Sequence, residues 1–255
     1  MAFSDRTRSI AVVVTAVAEV LVGGLSATLG GDVGAISDDN RSPVTPAGYA
    51  FAIWGLIYLG ALVLAVYQAL PSQREREVHR RTGWWLVAAF TASTLWVPVF
   101  VSGAIWLSQV IILALVAFLA MAARRLVTTG PADGLTEQLA LRLPITIYLG
   151  WATLASAAGF GTTFRSLGMP ERAGWVTALS LLLVLIAAVG SVIAVGRLVA
   201  VAGFAFTACW ALVAVAVATY AGPVRIAAVV ALLVILAVVV LRTRNSRRPT
   251  TVLFG

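Results

Sequence analysis

The sequence predicts an all-α, polytopic transmembrane helical bundle of about eight spans, and three observations predict it. Of 255 residues, 61% are hydrophobic and only 11% are charged, with mean hydropathy +1.00, whereas a soluble domain carries about 25% charged residues. The charges fall in short clusters between apolar runs of roughly 18 to 25 residues, and about 20 residues cross a bilayer core as a helix. Ten-residue segments of alternating polarity, which a strand barrel needs, do not occur. Lipid offers backbone groups no hydrogen-bond partner, so the runs must be helical.

The first span covers residues 10–29, after a short segment, 1–9, carrying Arg6 and Arg8. Its start resembles a signal peptide, but its apolar run exceeds the roughly 7 to 15 residues of such a region and contains Glu19, so a retained helix is expected. Thr15, Glu19, Gly23 and Ser26 share one stripe, small and polar enough for helix packing. Glu19 is the one carboxylate inside any span. It admits two readings, an intramembrane functional acid or a hydrogen-bonded packing residue. Residues 30–45 form an acidic loop with Asp32, Asp38 and Asp39, which reads either as a lid or as a solvated connection.

The second span, 46–70, opens on Pro46, which suits a first helical turn. Phe51, Trp54 and Tyr58 stand at i, i+3 and i+7 and share a face. An Arg-rich loop holding His79 leads to the third span, 84–102. There Ser93, Trp96 and Phe100 share a face, and Pro98 should bend the helix and free the Thr94 carbonyl. The fourth span, 106–123, follows in a tight hairpin and stops at Arg124 and Arg125. In the fifth, 143–164, Pro144, Tyr148 and Trp151 share a face. Spans over 174–195, 198–220 and 226–241 are rich in Ala, Val and Leu and read as bland packing. The basic tail, 242–255, is expected to be disordered.

With eight spans both termini lie on one side, and that side holds fourteen of the eighteen arginines. The other side has Arg41, Arg165, Arg172 and Arg225. Positive charge stays cytoplasmic, so both termini are expected in the cytoplasm of a protein of the cell inner or plasma membrane. This asymmetry explains the net charge of +8 without nucleic acid as a partner. There is no Lys, which excludes retinal or pyridoxal Schiff bases and a Walker-type phosphate loop. Cys209 is the single cysteine and can form no internal disulfide, and no His, Cys or carboxylate cluster has metal spacing. No nucleophile–base pair is evident, so an enzyme is not expected, no catalytic residue is assigned and no cofactor is required.

Trp84, Trp85, Trp106 and Trp175 lie at span ends and read as interfacial anchors. Trp54, Trp96, Trp151 and Trp210 lie deeper, Trp54 roughly 12 Å inside its span at about 1.5 Å per residue. Buried indoles either pack as core or line an apolar slot for a small molecule.

Three segments resemble the TspO/MBR family, the tryptophan-rich sensory proteins related to the mitochondrial translocator protein. They are TPAGYAFAIWGLIY at 45–58, WVPVF at 96–100 and YLGW at 148–151, in the family's order and in the matching spans. The resemblance covers residues 10–164 and leaves 165–241 as three additional spans. Departures are Tyr49 in place of a Trp, a Phe51-to-Trp54 spacing one residue short, Ser93 in place of an Asn, and only Ser156 where a late fifth-helix Asn is usual. The resemblance implies a five-helix core with an aromatic cavity beneath the first loop. It implies a planar hydrophobic ligand, a tetrapyrrole such as porphyrin or haem, or a sterol, bound by a sensor, regulator or carrier that is often a homodimer. On that basis Tyr49, Phe51, Trp54 and Tyr58 form one wall, Trp96 and Phe100 a second, and Tyr148 with Trp151 a third. A proton-coupled secondary transporter using Glu19 is the alternative.

Overall fold

The computed structural model describes residues 4–28 and 33–255. Part of the expected first loop, including Asp32, and the first three residues lie outside the described residues. Eight helices are long and apolar enough to cross a membrane, and no strand occurs among the described residues. The chain is an all-α integral membrane bundle, as its apolar runs predict.

The elements are α1 (Asp5–Thr28), α2 (Val33–Asp39), a 3₁₀ turn (Gly48–Ala52), α3 (Ile53–Ala69), α4 (Glu77–Val101), α5 (Ile105–Val127), α6 (Gly134–Glu137), a π turn (Gln138–Arg142), α7 (Leu143–Ser166), α8 (Gly174–Arg197), α9 (Val201–Ala218), α10 (Gly222–Arg244) and α11 (Pro249–Phe254). Three borders differ from expectation. α4 begins seven residues before Trp84, so His79 lies not in a loop but buried in the helix, edge-on to Tyr67 at 5.5 Å. Helix also precedes α7 through the π turn. The tail is not disordered: α10 continues through Arg242 and Arg244, α11 follows, and the Ala132 N–H donates to the Gly255 carbonyl at 2.6 Å. Pro98 lies inside α4, which runs on to Val101.

α1 packs on α3 and α4, α4 forms the expected hairpin with α5, and α5 leads to α7. The turn of that hairpin uses Gly103 at φ +84°, a left-handed conformation that glycine adopts without a Cβ clash. α7 then packs on α9, and α8 and α9 both pack on α10. The most deeply enclosed span is α9, with 56% of its most apolar stretch buried, against 22% for α1 and for α10. The Ala- and Val-rich sequence of α9 is thus a centre-of-bundle composition. Lipid tails are as apolar as such side chains, so close backbone approach, not burial, drives this packing. Gly150 and Gly203 make the α7–α9 crossing. A Cβ on Gly150 would strike Thr207 and the Phe204 backbone, and one on Gly203 would strike Thr146 and Ile147. The Thr207 hydroxyl donates to the Ile147 carbonyl at 2.9 Å across that contact.

Charge gathers at the end of the bundle that carries both described termini. Asp5 bridges Arg80 at 2.6 Å and also pairs with Arg8, whose guanidinium reaches the Arg74 carbonyl. Glu77 pairs with Arg81, and the buried Glu137 carboxylate takes both Arg76 and Arg142 at 2.7 Å. Arg242 donates to the Val195 and Leu198 carbonyls, satisfying the open C-terminus of α8. At the opposite end Arg41 donates to Ala218 and Arg225 to Ala216 and Thr219.

Candidate functional site: an aromatic box beneath the first loop

The 3₁₀ turn and the first turn of α3 set the site. After Pro46 the chain is pinned to α9 twice: the Ala47 N–H donates to the Ala214 carbonyl and the Trp210 indole N–H to the Ala50 carbonyl, both at 3.1 Å. That anchoring points Phe51 and Trp54 into the bundle, where Trp54 becomes the hub. Its ring stacks on Trp96 of α4 (centroids 5.6 Å, planes 23° apart) and meets Tyr148 and Trp151 of α7 edge-on at 5.9 and 6.4 Å. Tyr58 lies 5.6 Å from it along α3. Phe100, one turn beyond Trp96, stacks on that indole at 5.2 Å, and Phe51 meets Trp151 edge-on at 6.1 Å. Offset stacks and edge-to-face contacts are the arrangements the ring quadrupole favours.

Seven of the eight rings expected to form the walls therefore converge, from the 3₁₀ turn, α3, α4 and α7. Tyr49 does not join them. It is 46% exposed and sits edge-on to Trp210 at 5.3 Å. At about three residues per turn, Tyr49 lies roughly 120° round the 3₁₀ turn from Phe51, on the side that meets Trp210 of α9 rather than the box.

Phe51, Trp54, Trp96, Phe100 and Trp151 border a void of about 40 Å³, while Tyr58 and Tyr148 touch Trp54 but do not line it. Val33 and Ser37 of α2 cover it, so the first-loop helix roofs the box. Ala155, Ala158, Gly159 and Thr162 of α7 form its far side. A second void, about 20 Å³, lies beyond Trp151 toward α8 and α9 and shares Pro46, Trp151, Ala155 and Ala158 with the first. Trp151 is a partition between them. Its indole N–H is buried and has no hydrogen-bond partner among the described residues. An orphan donor of this kind costs free energy until an acceptor arrives.

Below the rings lies a polar pair. The Tyr148 hydroxyl donates to Glu19 Oε1 at 2.5 Å, and both groups are buried. Among the described residues Glu19 Oε2 has no partner, and the Ser93 hydroxyl lies beside the pair without a well-formed hydrogen bond. Gly23, one turn on from Glu19, lets the Tyr58 ring lie against α1, where a Cβ would collide with it. Ser156, the one polar candidate late in the fifth span, faces elsewhere: its hydroxyl bonds back to Thr153 and its carbonyl accepts from Gln109 Nε2 at 3.1 Å.

Sequence reasoning missed Val33 and Ser37 of the roof, Gly159 and Thr162 of the far side, and Gln109, which presses on Gly159 from α5. The run Ala155, Ala158, Gly159 and Thr162 at i, i+3, i+4 and i+7 was the available signal. No group of three His, Cys, Asp or Glu able to hold a metal occurs among the described residues.

Comparison with known proteins agrees with this layout at the level of the family. No curated protein and no solved structure matches the chain. The sequence model for TSPO-like protein matches residues 8–241, which runs past the segment 10–164 that carries the sequence resemblance and takes in all eight spans. With its aromatic box roofed by the first loop, the chain belongs to the TSPO-like protein family.

Proposed function

We propose that this TSPO-like membrane protein binds a planar hydrophobic ligand, a tetrapyrrole such as porphyrin or haem or a sterol-like molecule, in the aromatic box, and acts as its sensor, regulator or carrier. The observation that carries this reading is the convergence of Phe51, Trp54, Trp96, Phe100 and Trp151 on one void under α2. The rings offer stacking faces, and the free indole N–H of Trp151 offers one orienting donor.

The box is closed. Its 40 Å³ void is far below the roughly 300–1,000 Å³ of small-molecule sites. A flat ring held between Trp54 and Trp96 needs two van der Waals spacings, about 7–8 Å, so their 5.6 Å separation must widen by about 2 Å. The roof must move with it, and α2 is a seven-residue helix with one buried residue, Ser37. Binding should therefore quench Trp fluorescence as protoporphyrin is titrated into the detergent-extracted protein. Trp54→Ala and Trp151→Ala weaken that quenching at least about tenfold, the scale of one lost aromatic contact plus its area, while Trp175→Ala, exposed at a span end, leaves it unchanged. Equal effects from all three would rule out a specific slot.

The buried Glu19 carboxyl, with Oε2 unpartnered, supports a second reading, a proton-coupled secondary transporter. It requires pH-driven uptake into proteoliposomes that Glu19→Gln abolishes; uptake untouched by that change removes Glu19 from the mechanism.

A further inference from the structure

α5 and α8 both lean on α7 and leave between them a cleft of about 610 Å³. Its floor is Leu149 and Thr153 of α7 with Phe204 of α9. Its apolar walls include Val116 and Ala120 on one side and Gly190 and Ile193 on the other. At its mouth stand Arg124 and Arg197, each in the last turn of its helix, at the basic end of the molecule. Both are exposed. Arg76, Arg80, Arg81 and Arg142 at the same end are held by carboxylates. Arg124 and Arg197 make no ion pair or side-chain hydrogen bond among the described residues.

We propose that this cleft holds one anionic phospholipid from the leaflet at the basic end, with an acyl chain along α7 and the phosphate between Arg124 and Arg197. Lipid tails gain nothing by leaving other lipid tails, so the walls supply shape and the arginines supply selection. Guanidinium groups bind phosphate through paired, charge-assisted hydrogen bonds. Basic pockets between spans at a headgroup level attract anionic lipid in this way. A second copy of the chain is the poorer occupant. A two-fold contact through this face would set its arginines against their own images, and like charges repel.

The test is native mass spectrometry of the full chain with added phosphatidylglycerol or phosphatidylcholine of identical acyl chains. One phosphatidylglycerol per chain is retained about tenfold or more in preference to phosphatidylcholine. Arg124→Gln with Arg197→Gln removes that preference. Arg247→Gln with Arg248→Gln, equally basic but off the cleft, keeps it. A Cβ at Gly190 meets open space, so Gly190→Leu fills the slot without a clash and lowers retention of both lipids, with the thermal midpoint unchanged. The proposal is overturned if the cleft pair and the tail pair behave alike, if Gly190→Leu leaves retention unchanged, or if the cleft is lipid-free in a dimer that Gly190→Leu breaks.

Discussion

Tyr148 and Glu19 are 129 residues apart in the chain, yet one hydrogen bond of 2.5 Å joins them inside the bundle. Removing the donor leaves a buried carboxyl with no partner, whereas changing the acceptor to an amide keeps an oxygen for the phenol. Tyr148→Phe should therefore cost roughly 1–3 kcal/mol and Glu19→Gln less, read as the fall in thermal midpoint of the detergent-extracted protein. A larger loss from Glu19→Gln would mean that the carboxyl is held by something other than the phenol. Gly23→Leu makes a related point from the opposite side of the same cluster. Its side chain must displace the Tyr58 ring, so it should disturb the Trp54 environment and shift the indole emission without touching an aromatic residue. Glu19 and the deep indoles were legible as single residues, because a carboxylate or an indole within an apolar run is conspicuous. The bond between Glu19 and Tyr148 was not, since helical periodicity relates residues within a span and is silent across spans; the meeting of the indoles was expected only through the family resemblance. Tyr49 was expected in the box only through the family resemblance, at a position where this chain departs from the family's Trp, and it packs on Trp210 of α9 instead.

The spans themselves follow from hydropathy, and the hairpin of α4 and α5 follows from the short gap between two apolar runs. What hydropathy hides is rank. α9 reads as a featureless Ala/Val helix and turns out to be the strut that holds both α7 and the segment leading into the box. Two signals for this existed in hindsight, a deep Trp210 and the glycines at 150 and 203, but a glycine in a membrane helix marks close approach without naming the neighbour. Trp210→Phe keeps a ring against Tyr49 and loses only the N–H to Ala50. It should cost about 1 kcal/mol and speed hydrogen exchange over residues 48–52, with α3 beyond Trp54 unaffected. Gly150→Leu is expected to be far more damaging, because the clash is with the Phe204 backbone, which cannot rotate away. Loss of monodisperse protein on gel filtration is the readout, and a well-behaved Gly150→Leu variant would show that α9 can be displaced from α7 at little cost.

At the scale of the molecule, the arginine-rich segments that the alternation of eight spans assigns to one side do meet at one end. Asp5 reaches Arg80, Arg81 reaches Thr128, Arg76 reaches Glu137, and Arg242 reaches the end of α8. One missed span would have scattered these contacts over both ends, so the charge count and the packing test each other. Which membrane face this end occupies is a separate matter, and the positive-inside rule predicts the cytoplasmic one. Reporter fusions after Gly168 and after Gly255 should accordingly report opposite sides, the second cytoplasmic. The same integration decides what a shortened chain can do. A protein ending at Gly168 keeps every ring of the box, yet it loses the Ala214 carbonyl that holds Ala47, the indole that holds Ala50 and the backbone against which Gly150 packs. Buried donors and acceptors would be left to lipid, where each unmet backbone group costs several kcal/mol. Residues 1–168 should therefore fail to give monodisperse protein, and co-expression of residues 169–255 as a separate chain should restore both the oligomeric homogeneity and the porphyrin-dependent quenching. A stable, quenching-competent 1–168 fragment would instead make the last three spans an attachment to a self-sufficient five-helix box.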